Sequence, residues 1–308
     1  MRPRKSFACA VAGLLLAVAV RPLGAADQLL EQRESLYNNI YIYRDGDTVT
    51  MSFGKNKRLY AQSGMKLSEP QTLLYEYSRA MTIGIAYAPK LDRILEIGLG
   101  GGINASYLHA ALPAAQILTV ELDHEVVDLA KKYFNYTETE RRRAVVADGR
   151  AYLLRDTGKW DIIFLDAYRR GFVPFHLVTK EFFALVKSRL NAGGIVVQNI
   201  EPFTMLFKSA TATLHSVFAS IDVYDGVENV IAVGYDGPPL KQSELLARAA
   251  RAQQQYKLRY DLRAMAAQRR VLRKSAGKVL TDDFAPVETL RAIEINNEKW
   301  KEQTEAPR

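Results

Sequence analysis

The chain has 308 residues, 48% of them hydrophobic, which is enough to bury one large α/β core with appendages. Its formal charge of +8 is concentrated: residues 241–280 hold eleven Lys or Arg against two acids, a net +9, so everything else sums to −1. A basic tract confined to one segment, with no aromatic-lined groove, argues against nucleic acid as a partner.

The chain opens with Met1-Arg-Pro-Arg-Lys5, an apolar run from Phe7 to Val20, and Arg21-Pro-Leu-Gly-Ala-Ala26. A basic start, a short apolar stretch and small residues before a cut are the marks of a signal peptide over residues 1–26, hence a periplasmic or secreted protein. The apolar run is shorter than the ~20 residues a spanning helix needs, and no later segment reads as transmembrane. Cys9, the single cysteine, would leave with the leader. Disulfides, thiol catalysis and cysteine–metal sites leave with it.

Residues 27–68 read as a small antiparallel β cap, with strands at 36–43 and 48–53 around the turn Arg44-Asp-Gly-Asp47 and a short return at 58–60. Glu69-Pro70 opens a helix running to about Ala88, where Pro89 stops it. Residues 69–238 then alternate strand and helix, with strands at 93–97, 116–120, 143–147, 160–165 and 193–199. Such alternation, with Val/Ile/Leu strands lacking polar positions, specifies a mainly parallel sheet covered by helices on both faces. Residues 221–224 and 230–234 close it as a hairpin-like pair. Residues 239–308 read as a basic helical extension: one or two amphipathic helices over 241–274, the acidic motif Leu280-Thr-Asp-Asp-Phe-Ala-Pro-Val-Glu288, and a last helix. Leu245, Leu246, Tyr256, Leu258, Tyr260, Leu262 and Met265 are the positions available for packing. The basic face is a solvated one, with peripheral contact to an anionic membrane through 241–278 as the second reading.

Chemistry gathers at the strand ends. Arg93-Ile-Leu-Glu-Ile97 runs into Gly98-Leu-Gly-Gly-Gly102, and Gly98, Gly100 and Gly101 give a ligand room to approach the backbone. The next strand ends at Glu121, roughly twenty residues on, the spacing of a ribose-binding carboxylate. The third ends at Asp148-Gly149, an acceptor for an adenine amino group with space for the ring. Together these acids and glycines point to a nucleoside pocket. The fourth strand delivers Asp166 to the same crevice, where a carboxylate can take a proton from an attacking amine. A loop through residue 176 follows and brings Tyr168 and His176 within reach of a substrate. Four histidines without a spaced pair give no metal site.

The succession of β cap, Glu-Pro helix, Ile94-Leu-Glu-Ile-Gly-Leu-Gly-Gly-Gly102, Val120-Glu-Leu-Asp123, Ala130-Lys-Lys-Tyr-Phe134, Asp148-Gly-Arg-Ala-Tyr152 and Asp161-Ile-Ile-Phe-Leu-Asp166 resembles the spermidine synthase (polyamine aminopropyltransferase) family from about Leu36 to Gly234. Val173-Pro-Phe-His-Leu177 and the 280–288 motif are more similar to its bacterial spermidine synthase-like branch. The resemblance implies a Rossmann-like class I methyltransferase fold and a donor that is decarboxylated S-adenosylmethionine or S-adenosylmethionine itself. It also implies a small amine acceptor and, as in many members, a homodimer. Glu121 matches the family's ribose acid, Asp148 its adenine acid and Asp166 the first acid of its Asp-x-x-Asp-Pro loop. Gln62 aligns near the aminopropyl group, and Tyr75 and Glu76 fall near the helix segment that holds the diamine.

Two positions depart from the family. Its glycine turn has an Asp where this chain has Gly101, and that Asp holds the donor's amine; its second loop Asp is Arg169 here. One way to restore the lost charge is for Asp282 and Asp283 to fold back, set against a plain turn or capping motif. The alternatives to aminopropyl transfer are an S-adenosylmethionine-dependent methyltransferase acting on a non-polyamine substrate, and an inactive exported nucleoside-binding module.

Overall fold

The computed structural model describes residues 27–168, 173–201, 206–227, 229–272, 277–286 and 289. The leader, Arg169 and Arg170, and the helix expected at the end of the chain lie outside the described residues.

The cap is a four-stranded antiparallel sheet, β1 (Gln28–Glu34), β2 (Asn39–Asp45), β3 (Thr48–Ser52) and β4 (Ala61–Lys66), paired in that order. It has one strand more than expected at its start, and its return strand lies later. Residues 57–60 close instead into a helical turn, α1 (Lys57–Tyr60), with Tyr60 N donating to Asn56 O at 3.1 Å. Composition hid both strands: Gln-Leu-Leu-Glu-Gln-Arg-Glu and Ala-Gln-Ser-Gly-Met-Lys lack the β-branched and aromatic residues that mark strands.

The helix expected from Glu69 to Ala88 is broken. Its helical parts are α2 (Glu76–Met81) and α3 (Gly84–Tyr87). Leu73 explains the delay: its N–H donates to Tyr260 Oη at 2.6 Å and its carbonyl accepts from Arg79 Nε at 2.7 Å. Both groups are taken by side chains from elsewhere, so neither enters a helical ladder.

The main sheet follows from β5 (Arg93–Ile97), α4 (Ile103–Ala111), β6 (Gln116–Glu121), α5 (His124–Tyr133), β7 (Arg142–Val146), α6 (Gly149–Arg155) and β8 (Trp160–Leu165). It continues through a 3-10 turn (Phe175–Leu177), α7 (Lys180–Ser188), β9 (Leu190–Ile200), α8 (Phe207–His215), β10 (Ser220–Asp225) and β11 (Val230–Tyr235). After these come α9 (Gln242–Tyr256), α10 (Leu262–Ala267) and a short β12 (Arg270–Val271). The strand order is β12-β10-β11-β9-β8-β5-β6-β7. Strands β9, β8, β5, β6 and β7 run parallel, and the other three join antiparallel. The fold is the Rossmann-like α/β architecture expected, and β12, from beyond residue 238, is part of the same sheet.

Every residue of β8 is buried, as a strand covered on both faces requires. One face packs Ile94, Phe164, Tyr107, Phe134 and Leu245, the other Leu153, Phe182, Phe183, Leu214 and Phe218. Leu245, Leu258 and Leu262 are buried in the body, and Leu246, Tyr256, Tyr260 and Met265 pack against it. The apolar face of the basic segment is therefore occupied by the protein itself. No helix among the described residues is long and apolar enough to cross a membrane.

Candidate active site

The chain leaves β5 for β6 and β7 on one side, then returns to β8 on the other, so strand order reverses between β5 and β8. A crevice opens beyond the carboxyl ends of strands at such a point. Here it is a cavity of about 610 Å³, walled by those strand ends, the cap and the segment around Tyr75.

Gly98 is shaped by this crossing. Its φ is +101°, and a Cβ would strike the carbonyl oxygen of Asp166. The tight approach lets Asp166 N donate to Ile97 O at 2.9 Å, setting the Asp166 side chain beside the glycine turn. Asn199 Nδ2 donates to Asp166 Oδ1 at 2.9 Å. Burial outweighs that bond and pushes the carboxyl up to about 7. Asp166 is therefore poised to exchange a proton near neutrality.

Glu121 accepts from Leu99 N at 2.8 Å through one oxygen and from Asp123 N at 3.0 Å through the other. Burial raises its pKa, and these N–H groups pull against that rise. Asp148 caps α6, accepting from Ala151 N at 2.8 Å. Its second oxygen pairs with His176 Nε2 at 2.7 Å, and this bond is the main reason its pKa lies below the usual carboxylate range. Gly149 lines the cavity, but a Cβ there would strike Ile97 Cγ2, so its glycine is required by the packing of α6 on β5 as well.

Gly98, Gly100, Glu121, Asp148, Gly149, Gln62, Tyr75, Glu76, Tyr168, Asp166 and His176 all line this one cavity. Gly101 does not. Its N–H donates to Ser63 Oγ at 2.8 Å, and a Cβ would lie 2.7 Å from Phe134 Cδ1 and 3.1 Å from Ser63 Cβ. Gly101 thus serves to clamp the turn to the cap and is not a wall of the pocket. Glu76 is displaced in another way. Its carboxylate pairs with Arg79 at 2.6 Å, half exposed, whereas its neighbour Tyr77 lines the cavity with a phenol raised by burial and then by the Asp166 charge. Tyr77 stacks on Tyr75 at 5.9 Å, and burial raises both phenols, Tyr75 to about 12. Tyr168 Oη donates to Asn199 O at 3.0 Å.

Glu96 was hidden from the sequence reading. It lies inside a strand that reads as buried and apolar, yet its carboxyl reaches the cavity at 2% exposure. Thr119 Oγ1 donates to it at 3.1 Å. Burial, then Asp166, pushes it up to about 8. Asp282 turns away from the crevice: it makes a two-pronged pair with Arg150 and accepts from Thr179 Oγ1 at 2.7 Å. The 280–285 segment is thus a strap over α7, its turn closed by Thr281 and Phe284, and the turn reading stands for it. Asp283 is likewise absent from the cavity wall.

Among the described residues the wall carries seven acids, Glu76, Glu96, Glu121, Asp123, Asp148, Asp166 and Glu201, and no Lys or Arg. Such a lining concentrates cations.

Comparison with known proteins agrees with this geometry. The Spermine/spermidine synthase domain matches residues 78–225. A polyamine aminopropyltransferase of Chromobacterium violaceum is 30% identical over 194 residues, which cover 61% of this chain and 74% of that protein. The chain belongs to the polyamine aminopropyltransferase family. A second member, from Vibrio vulnificus, is 32% identical over 195 residues, covering 62% of this chain and 65% of its own length. The crystal structure of a probable spermidine synthase from Corynebacterium glutamicum shares the fold, with a TM-score of 0.66 at 23% identity over 82% of this chain and 96% of that one. The family is one of transferases acting on small amines.

Proposed function

We propose that this chain transfers an aminopropyl group from decarboxylated S-adenosylmethionine to a small amine acceptor, with Asp166 as the proton acceptor. The observation that carries the reading is the excess of acids in the wall: seven carboxyls line it, with His176 as the one basic side chain among the described residues. The donor is a sulfonium bearing an ammonium, the acceptor is an ammonium, and no described Lys or Arg opposes them. Asp148 and Gly149 would hold the adenine, Glu121 the ribose hydroxyls, and Gln62 would lie along the aminopropyl arm. Asp166 takes a proton from the acceptor's ammonium, whose nitrogen then attacks the carbon bonded to sulfur. The carbon–sulfur bond breaks, sulfur keeps the electron pair, and neutral methylthioadenosine leaves. Most of the acceleration in such a reaction comes from alignment, because the sulfonium is already activated. Tyr168 and Asn199 support alignment here by fixing each other and the Asp166 carboxyl.

The test is parallel calorimetric titration with methylthioadenosine, S-adenosylmethionine and the decarboxylated donor, followed by assay of methylthioadenosine release with a panel of diamines. Preference for the decarboxylated donor with amine-dependent release is the expected result. Preference for S-adenosylmethionine would shift the reading to methyl or other alkyl transfer. A folded protein that binds none of the three would be left as an inactive relative.

A further inference from the structure

Strand order decides which carboxylates a ligand meets as it lies across the sheet. Strands β8, β5, β6 and β7 are neighbours in that order. At or beside their carboxyl ends they carry Asp166, Glu96, Glu121 and Asp148. A nucleoside with its adenine at Asp148 and its ribose at Glu121 must therefore pass its 5′ substituent over β5 before reaching Asp166. The acid on β5 is Glu96, for which the transfer step has no use. Its hydrogen-bond donors, the side chains of Thr119 and Asn104, are both neutral. It is a buried carboxyl facing a cavity without a charged donor of its own. A buried carboxyl in that setting stays protonated unless a cation comes to face it.

The glycine turn cannot supply the acid that would otherwise meet an amine on this arm. A Cβ at Gly101 would be pressed against the Phe134 ring at 2.7 and 3.0 Å, on the side held by Ser63. An acidic side chain there would need Phe134, which is 1% exposed, to leave its place.

We propose that Glu96 is the seat for the donor's ammonium group, the amine three carbons from the sulfonium, and so a specificity residue for donors that carry it. This rests on the donor reading above. Without a cation beside it the Glu96 carboxyl is held at about 8 by burial and by Asp166; an arriving ammonium provides the opposite charge that lets it ionise.

Two neutral thioethers test this apart from turnover: 5′-propylthioadenosine and its counterpart with an amine on the terminal carbon. In the unmutated protein the amine should strengthen binding about thirtyfold, the value of a charged hydrogen-bonded pair in a partly desolvated site. Glu96→Gln should erase that gain while leaving the propyl compound within about twofold, as expected when only the charged contact is lost. Asp166→Asn should keep most of the gain. No gain in the unmutated protein overturns the seat before any variant is made. A gain that survives Glu96→Gln and disappears in Asp166→Asn overturns it in favour of Asp166. If the gain behaves as expected but no amine elicits methylthioadenosine release, the seat stands and the transfer reading falls.

Discussion

The two ends of the cavity are built differently. At the end proposed for the donor, Glu121 and Asp148 stand at successive strand ends, each held by backbone N–H groups of a neighbouring turn or helix. At the end proposed for the acceptor, Tyr75, Tyr77, Tyr168, Asn199, Glu201 and Asn229 come from four separated stretches of chain. There, burial raises the phenols of Tyr77 and Tyr168, and the Asp166 charge adds to both. A nucleoside seat can be made from local strand–turn–helix geometry, so it tolerates little change. An acceptor seat assembled from distant segments can change its chemistry by changing any one of them. On the proposed reading, the locally built end holds the donor and the end assembled from distant segments sets acceptor specificity.

The sharpest way to break this division is Asp166→Asn. It should lower the turnover number by about 10² to 10⁴, the usual contribution of a positioned proton acceptor, with methylthioadenosine affinity nearly unchanged in the same titration. A parallel fall in affinity would mean that Asp166 belongs to the donor end as well. Glu121→Gln should do the reverse, weakening methylthioadenosine binding about ten- to a hundredfold through lost charged hydrogen bonds to ribose.

The pH dependence sharpens the comparison further. Because Asp166 is raised to about 7 in the free protein, its basic form appears as pH climbs through that value, so kcat/KM should rise between pH 6 and 8. Asn199→Leu removes the hydrogen bond that favours the ionised form, and the rise should move to higher pH. An unmoved profile would detach the titration from Asp166. The smallest effect is expected at Glu76. Its half-exposed carboxylate is spent on Arg79, so Glu76→Gln should leave the acceptor KM within about twofold, in line with the small worth of a surface ion pair.

What could be read in the sequence follows the same division. Glu121, Asp148 and Asp166 were legible because each ends an apolar strand run, where an acid has few structural reasons to sit. The alternation of strands and helices gave the parallel sheet for the same local reason. Glu96 was not legible, because a residue inside Ile-Leu-Glu-Ile reads as part of a buried strand, and its place on the cavity wall depends on the tertiary packing around the end of β5. The register around Tyr75, Glu76 and Tyr77 depends on Tyr260, 187 positions after Leu73, so no local pattern could set it. The strap at 280–285 was seen as an ordered acidic motif, but its partner Arg150 lies 132 positions earlier. Strand β1 was missed because its stability comes from pairing with β2 and from Arg33 reaching Glu125 on α5 at 2.6 Å, neither of which composition reveals.

The cap reaches into the nucleoside pocket at two points. Ser63 on β4 takes the N–H of Gly101, and Ser35 and Asn38 both donate to Asp123, whose own N–H is bound by Glu121. The cap is thus a keystone for the crevice: the glycine turn and Glu121 are braced from outside the sheet that bears them. A ligand that tightens these two points would stiffen the cap as well, and protection of the β4 amides against hydrogen exchange would report occupancy at a distance. Grafting the parallel sheet without its cap would transfer the carboxylates but leave them unbraced.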